Sequence, residues 1–244
     1  MHRSGLAASA FALSLGAAAA ASAQAVVVSD SAEIGFARGT EIADGAALRV
    51  PEGKTLSLID ARGKGMTIRG PYDGKLANGA AGAPADPSVL ASLHLILFNR
   101  IDNAAGAVRA AGEKPTPPDA RLIDLSDSAT FCVAPGETPE LWRPAPRPHA
   151  TLTLTRLSNG ARGDVEWPAS QATANWPDAV PIVDGESYQA LLPGALVRPR
   201  LTIKLVPFGA PSIAAAQQLS QAGCRTQAVT MLEAIAAAAG DAKP

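Results

Sequence analysis

Asp164 and Glu166 stand two apart in the run Arg162-Gly163-Asp164-Val165-Glu166-Trp167. On a strand that spacing places both carboxylates on one face, and paired carboxylates do acid–base chemistry where a cleft drives their pKa values apart. The competing reading is a solvated strand edge, with Arg162 alongside. Beyond Met1–Ala25 only His94 and His149 could serve as imidazole ligands, and neither belongs to an H-E-x-x-H or similar metal spacing. His94 falls in an apolar stretch that suits a core or interface residue, and His149 follows Pro148 at a strand start and should face solvent. Gly53-Lys54-Thr55 imitates the end of a phosphate loop, but the motif needs glycine at position 48, where Leu48 stands. No G-x-S-x-G is present, and Ser126-Asp127-Ser128 suits a turn better than a nucleophile cluster. The sequence assigns no catalytic residue, no metal and no cofactor.

The aromatic residues offer binding chemistry instead. Trp142, Trp167, Trp176 and Tyr188 all lie in the C-terminal half, and Trp167-Pro168 repeats as Trp176-Pro177. A following proline biases each tryptophan towards extended backbone. Trp167, Trp176 and Tyr188 are therefore the candidate binding residues, presented on loops as a platform for a peptide or sugar; the alternative is that they fill a core. Cys132 and Cys224 are 92 residues apart and are the only cysteines. In an exported chain an even pair is expected to form a disulfide, the alternative being two buried thiols.

Several elements must position these groups. Arg3, the uncharged apolar run Leu6 to Ala20 and the small-x-small end Ala23-Gln24-Ala25 read as a secretory signal peptide, 1–25, cut after Ala25 or after Ala23. The alternative is an uncleaved anchor. The alanine-rich leader has a bacterial character and sends the protein to the periplasm. No later segment is apolar and long enough to span a membrane as a helix. A net charge of −1 without a basic block removes the electrostatic footprint of a nucleic-acid binder. With 20 prolines, 22 glycines and only 4% aromatic residues, short strands and turns are favoured over long helices.

Residues 26–76 read as a small N-terminal β module. Strand-like composition covers Val26 to Val28, Ala32 to Phe36 and Ala47 to Val50, and turn signals stand at Arg38-Gly39 and Asp44-Gly45. Leu56 and Leu58, then Met66 and Ile68, alternate with polar residues about Asp60–Gly65, which predicts a hairpin with one buried face. Residues 77–120 are a linker and helical connector. Asp86-Pro87 should cap a helix over Ser88 to Ile101, with a buried strand at Leu93–Phe98 as competitor. Residues 121–207 carry seven candidate strands: Arg121–Leu125, Ala129–Val133, Glu140–Arg143, Ala150–Leu157, Asp164–Trp167, Ser187–Leu192 and Leu201–Val206. That number and spacing suit an immunoglobulin-like β-sandwich. Residues 208–244 form a helical tail, over Ile213–Ala222 and Arg225–Ala239. The fold class is thus mainly β with helical additions.

The run ADGAALRVPEGKTLSLIDARGKGMTIRGPYDG resembles the small β module of FecR-like periplasmic proteins and of exported alphaproteobacterial proteins. CVAPGETPELWRP, NWPDAVPIVDGESY and GCRTQAVTMLEAI are similar to the same exported group. FecR proteins are membrane-spanning signal transducers with a cytoplasmic anti-sigma region. This sequence carries neither a later span nor that region, so the resemblance implies a fold and a compartment and no signalling role. The expected function is non-enzymatic: a periplasmic binding or scaffolding protein whose partner is an envelope protein or cell-wall component. The alternative is a periplasmic enzyme acting on cell-wall carbohydrate through Asp164, Glu166 and the tryptophans.

Overall fold

The computed structural model describes residues 23–29, 34–76, 86–98, 115–144, 148–194 and 198–238. Most of the leader, the linker at 77–85 and Ile101 lie outside these residues. The described chain is mainly β with three helices.

The N-terminal part contains β1 (Ala23–Val27), β2 (Glu41–Ala43), β3 (Ala47–Val50), β4 (Thr55–Asp60), β5 (Gly65–Arg69) and β6 (Tyr72–Lys75). Four of them form an antiparallel sheet in the order β2-β1-β4-β5, and β3 pairs with β6 in a separate ribbon. The predicted hairpin is β4–β5, with Leu56 opposite Ile68 and Leu58 opposite Met66. The Asp60 carboxylate closes its turn by accepting the backbone N–H groups of Arg62 (2.8 Å) and Lys64 (2.9 Å).

Both faces of this hairpin are buried, which corrects the one-face expectation. Leu56, Leu58 and Ile68 join Ala25, Val27, Ile42, Leu48 and Val50 in one core. Ile59 points the other way, into the helices. Two further details depart from the sequence pattern. In the described part of the expected strand over 32–36, Gly35 takes φ +87° and turns the chain. The second strand of the module is instead β2, between the two glycine turns.

Helix α1 (Pro87–Phe98) has Asp86 at its cap, where the carboxylate accepts the Ser88 N–H at 2.8 Å. Helices α2 (Ile213–Gln221) and α3 (Arg225–Ala238) meet at Gly223, whose φ is +89°. The three helices pack into one core built from Val26, Val28 and Ile59 of the first sheet, Leu93 and Ile96 of α1, and Ala216, Leu219, Ala228, Met231, Leu232 and Ala236. The C-terminal helices therefore lie against the N-terminal sheet. Gly65 allows this approach, because a Cβ there would overlap the Ile235 carbonyl. Thr67 Oγ1 donates to the Ala236 carbonyl at 3.1 Å, and Arg38 pairs with Glu233 at 2.7 Å.

The remaining strands are β7 (Ile123–Asp124), β8 (Ala129–Val133), β9 (Glu140–Trp142), β10 (Ala150–Arg156), β11 (Arg162–Trp167), β12 (Thr173–Asn175), β13 (Ser187–Leu191) and β14 (Arg200–Leu205). They form a five-stranded sheet, β11-β10-β13-β14-β8, and a three-stranded sheet, β12-β9-β7. β14–β8 and β7–β9 are parallel pairs; the other neighbours are antiparallel. All seven predicted strand segments are occupied by strands, and β12 is an addition that the sequence pattern did not announce. One apolar core, from Ile123 and Phe131 to Leu201 and Ile203, draws on both sheets. Cys132 in β8 is disulfide-bonded to Cys224, with Cα atoms 5.7 Å apart, which ties this sheet to the α2–α3 turn.

Candidate functional site

The three aromatics proposed as a platform are in the interior. Trp167 and Tyr188 are 0% exposed and Trp176 is 4% exposed. Their polar ends are already used. Trp167 Nε1 donates to the Gln171 carbonyl (3.0 Å) and Trp176 Nε1 to the Val180 carbonyl (2.6 Å). Tyr188 Oη donates to the Pro181 carbonyl and accepts the Val183 N–H, both at 2.9 Å. Burial pushes the Tyr188 phenol above its ordinary pKa. The Trp176 and Tyr188 rings meet edge to face at 5.0 Å, and the Arg143 guanidinium lies 4.6 Å from the Trp167 ring. Large rings with few conformers fill this interior. Trp167, Trp176 and Tyr188 are thus core residues and present no exposed platform in this structure.

Asp164 and Glu166 do share one face of β11, as their spacing requires, and that face is open to solvent. Thr153 Oγ1 donates to Asp164 at 2.7 Å and Thr151 Oγ1 to Glu166 at 3.0 Å, across the β10–β11 pair. Arg162 stands 3.6 Å from Asp164, and His149, exposed as expected, 3.0 Å from Glu166. The result is a cross-strand polar ladder on an exposed edge strand. Such ladders keep edges soluble and blunt edge-to-edge pairing. A cavity of about 170 Å³ lies elsewhere, beside β8 and β9, lined by Arg121, Glu137, Cys132 and Phe208 among others. It is below the usual size of a small-molecule site. Among the described residues no cluster of three or more His, Cys, Asp or Glu could hold a metal.

The surface with binding character is on α1. Its buried stripe is Leu93 and Ile96, with Val89, Leu90 and Leu97 packed alongside. Ala91, His94, Leu95 and Phe98 follow the spacing i, i+3, i+4, i+7 and line the opposite, exposed face. Leu95 is 58% and Phe98 47% exposed. His94 stacks on Phe98 with ring centroids 4.2 Å apart, and the Phe98 ring rests over Gly39, where a Cβ would collide with it. His94 is thus an exposed surface residue and not a core one. From Pro87 to Phe98 the helix holds no Asp, Glu, Lys or Arg.

A solvated helix face is normally rich in charge; this one presents an apolar, uncharged stripe whose aromatic end is fixed by a glycine seat. The helical spacing of Leu93 and Ile96 was readable in the sequence. The apolar spacing does not mark the second stripe as a surface; its signal in the sequence is the charge-free run over Pro87–Phe98. None of the described helices is long and apolar enough to cross a membrane. The chain matches no protein-family model, no curated protein and no solved structure.

Proposed function

We propose that the protein is a non-enzymatic binding or scaffolding component of an envelope-associated system, exported to the periplasm by its leader, and that an envelope protein docks on α1. The carrying observation is the exposed stripe of Ala91, His94, Leu95 and Phe98 on a helix without charge. An apolar contact with no ionic group to match calls for a partner surface that is itself apolar and uncharged, with a polar rim outside it. Rigid aromatic and aliphatic groups at the centre of such a contact carry most of its energy. The Cys132–Cys224 disulfide is compatible with an oxidising compartment. The two C-terminal sheets around one core support an immunoglobulin-like sandwich. The carbohydrate-enzyme alternative loses ground, since Asp164 and Glu166 sit on an open face away from the cavity and the tryptophans are core.

The test is affinity capture from a periplasmic extract with the wild-type chain and Leu95→Glu in parallel, bound proteins being identified by mass spectrometry. Leu95→Glu should keep its unfolding midpoint and lose the envelope protein that the wild type recovers. Recovery of the same protein in equal amount by a folded Leu95→Glu would sink the docking site. Turnover of cell-wall carbohydrate abolished by Glu166→Gln would sink the non-enzymatic reading.

A further inference from the structure

Of the small-x-small bonds read by a leader-removing peptidase, which also include those after Ala19-Ala20-Ala21 and Ala20-Ala21-Ser22, two fall within β1. One follows Ala21-Ser22-Ala23 and the other Ala23-Gln24-Ala25. The sequence pattern puts the cut after Ala25 first and the cut after Ala23 second, but the fold treats the two products differently.

β1 is a central strand, flanked by β2 on one side and β4 on the other. Ala25 lies opposite Ile42 and Asp60, and Val26 opposite Glu41 and Ile59. Ala25, Val27 and Val28 are 0% exposed and Val26 is 2% exposed. Ala25 and Val27 belong to the core of the first module, and Val26 and Val28 to the helix-facing core. The strand thus seals both layers.

A cut after Ala25 would remove one of these core residues and its pairing on both sides. It would also make Val26 the N-terminal residue, with a charged ammonium in the interior of the sheet. That group carries three N–H donors where a ladder position satisfies one, and a charge withdrawn from water without a counterion is costly. A cut after Ala23 gives up the Ala23–Ala43 pair on the β2 side only and leaves Gln24 ahead of Ala25, so the ammonium falls before the first residue paired on both sides. There the register already shifts, between Ala23 and Ala25 on the β2 side.

We propose that the chain is processed between Ala23 and Gln24, so that β1 enters the folded protein with Ala25 and Val26 in place. The inference rests on the export reading above. The peptidase acts on the extended chain during translocation, so the burial of β1 in the folded protein does not hinder the cut. What the fold decides is which product is stable and persists.

The experiment is intact-mass analysis of the full-length chain after secretion in a Gram-negative host, with sequencing of the new N-terminus. The expected product begins at Gln24. A product beginning at Val26 would overturn the processing site and leave export standing, whereas a full-length product would overturn export and the site together. In a second measurement, chains made to begin at Gln24 and at Val26 are compared by thermal unfolding. The Gln24 form should melt several degrees higher; equal melting would overturn the argument from β1 burial.

Discussion

The side-chain amide of Gln227 satisfies both backbone groups of Cys132: its Oε1 accepts the Cys132 N–H at 2.6 Å, and its Nε2 donates to the Cys132 carbonyl at 3.0 Å. The same Nε2 donates to the Ala120 carbonyl at 2.6 Å. β8 is the last strand of its sheet, and the Val133 carbonyl accepts from Val206 on the β14 side. Cys132 therefore turns its backbone to the free edge, where a side chain from α3 replaces the missing strand. A buried edge left without such a partner would strand polar backbone groups.

Replacing Gln227 by Leu keeps the volume but leaves three buried backbone groups without this partner. Unsatisfied buried groups cost about 1–3 kcal/mol each, so Gln227→Leu should lose at least about 3 kcal/mol. Urea unfolding checks this. A stability within experimental error of the wild type would show that water replaces the amide at this edge.

The covalent link at the same residue makes a second prediction. Non-reducing peptide mapping of the periplasmic protein should find Cys132 joined to Cys224, which closes a loop of 92 residues. In the chain-entropy account, opening a loop of that size lowers stability by about 4.6 kcal/mol. The comparison is Cys132→Ser/Cys224→Ser against the wild type under non-reducing conditions. Two freely alkylatable thiols in the native wild type would dismiss the link altogether.

These two contacts mark the limit of what the sequence displays. The Leu56–Leu58 and Met66–Ile68 alternation announced the β4–β5 hairpin, because a period of two directly records which side of a strand is apolar. The disulfide followed from cysteine arithmetic. Residues 213–238 read as helices but looked like an appendage. Their position against β4 and β5 depends on Gly65 and Thr67, two small residues with no periodic signature of their own. The aromatics misled for a related reason. Trp-Pro records local backbone bias, whereas inward or outward orientation is set by Val180, Pro181 and Gln171, whose carbonyls receive the ring donors. On α1 the apolar spacing gave the helix, but only the tertiary structure distinguishes the buried stripe from the exposed one.

Trp176 provides a direct test of core against contact. Trp176→Ala should cost about 3–5 kcal/mol, because it removes a buried indole, its edge-on contact with Tyr188 and the donor to the Val180 carbonyl. Trp176→Phe retains most of the apolar area and should cost less. Denaturant unfolding of both variants gives the order. If Trp176→Ala unfolds with the wild type but fails to capture a partner, the residue belongs to a binding surface after all.

The last prediction concerns acid. Arg156 Nη2 at the end of β10 lies 3.1 Å from Glu186 Oε1 in the turn before β13. The hydrogen bond from Arg156 holds the Glu186 carboxyl below the ordinary glutamate value, with a hydrogen bond from Ser158 adding to the effect. The arginine is pushed the other way and stays charged across the working range. A carboxylate whose folded pKa is depressed contributes stability that is complete above its unfolded pKa and is lost as pH falls through the folded one. Glu186→Gln should therefore be less stable than the wild type at about pH 7, and the difference should shrink as both are taken to about pH 3. Urea unfolding at several pH values in this window measures that difference. Protonation of other carboxylates will lower both proteins together, so the informative quantity is the gap between them. A gap that stays constant with pH would show that the ionised pair adds nothing to the fold and that any loss comes from the altered side-chain packing.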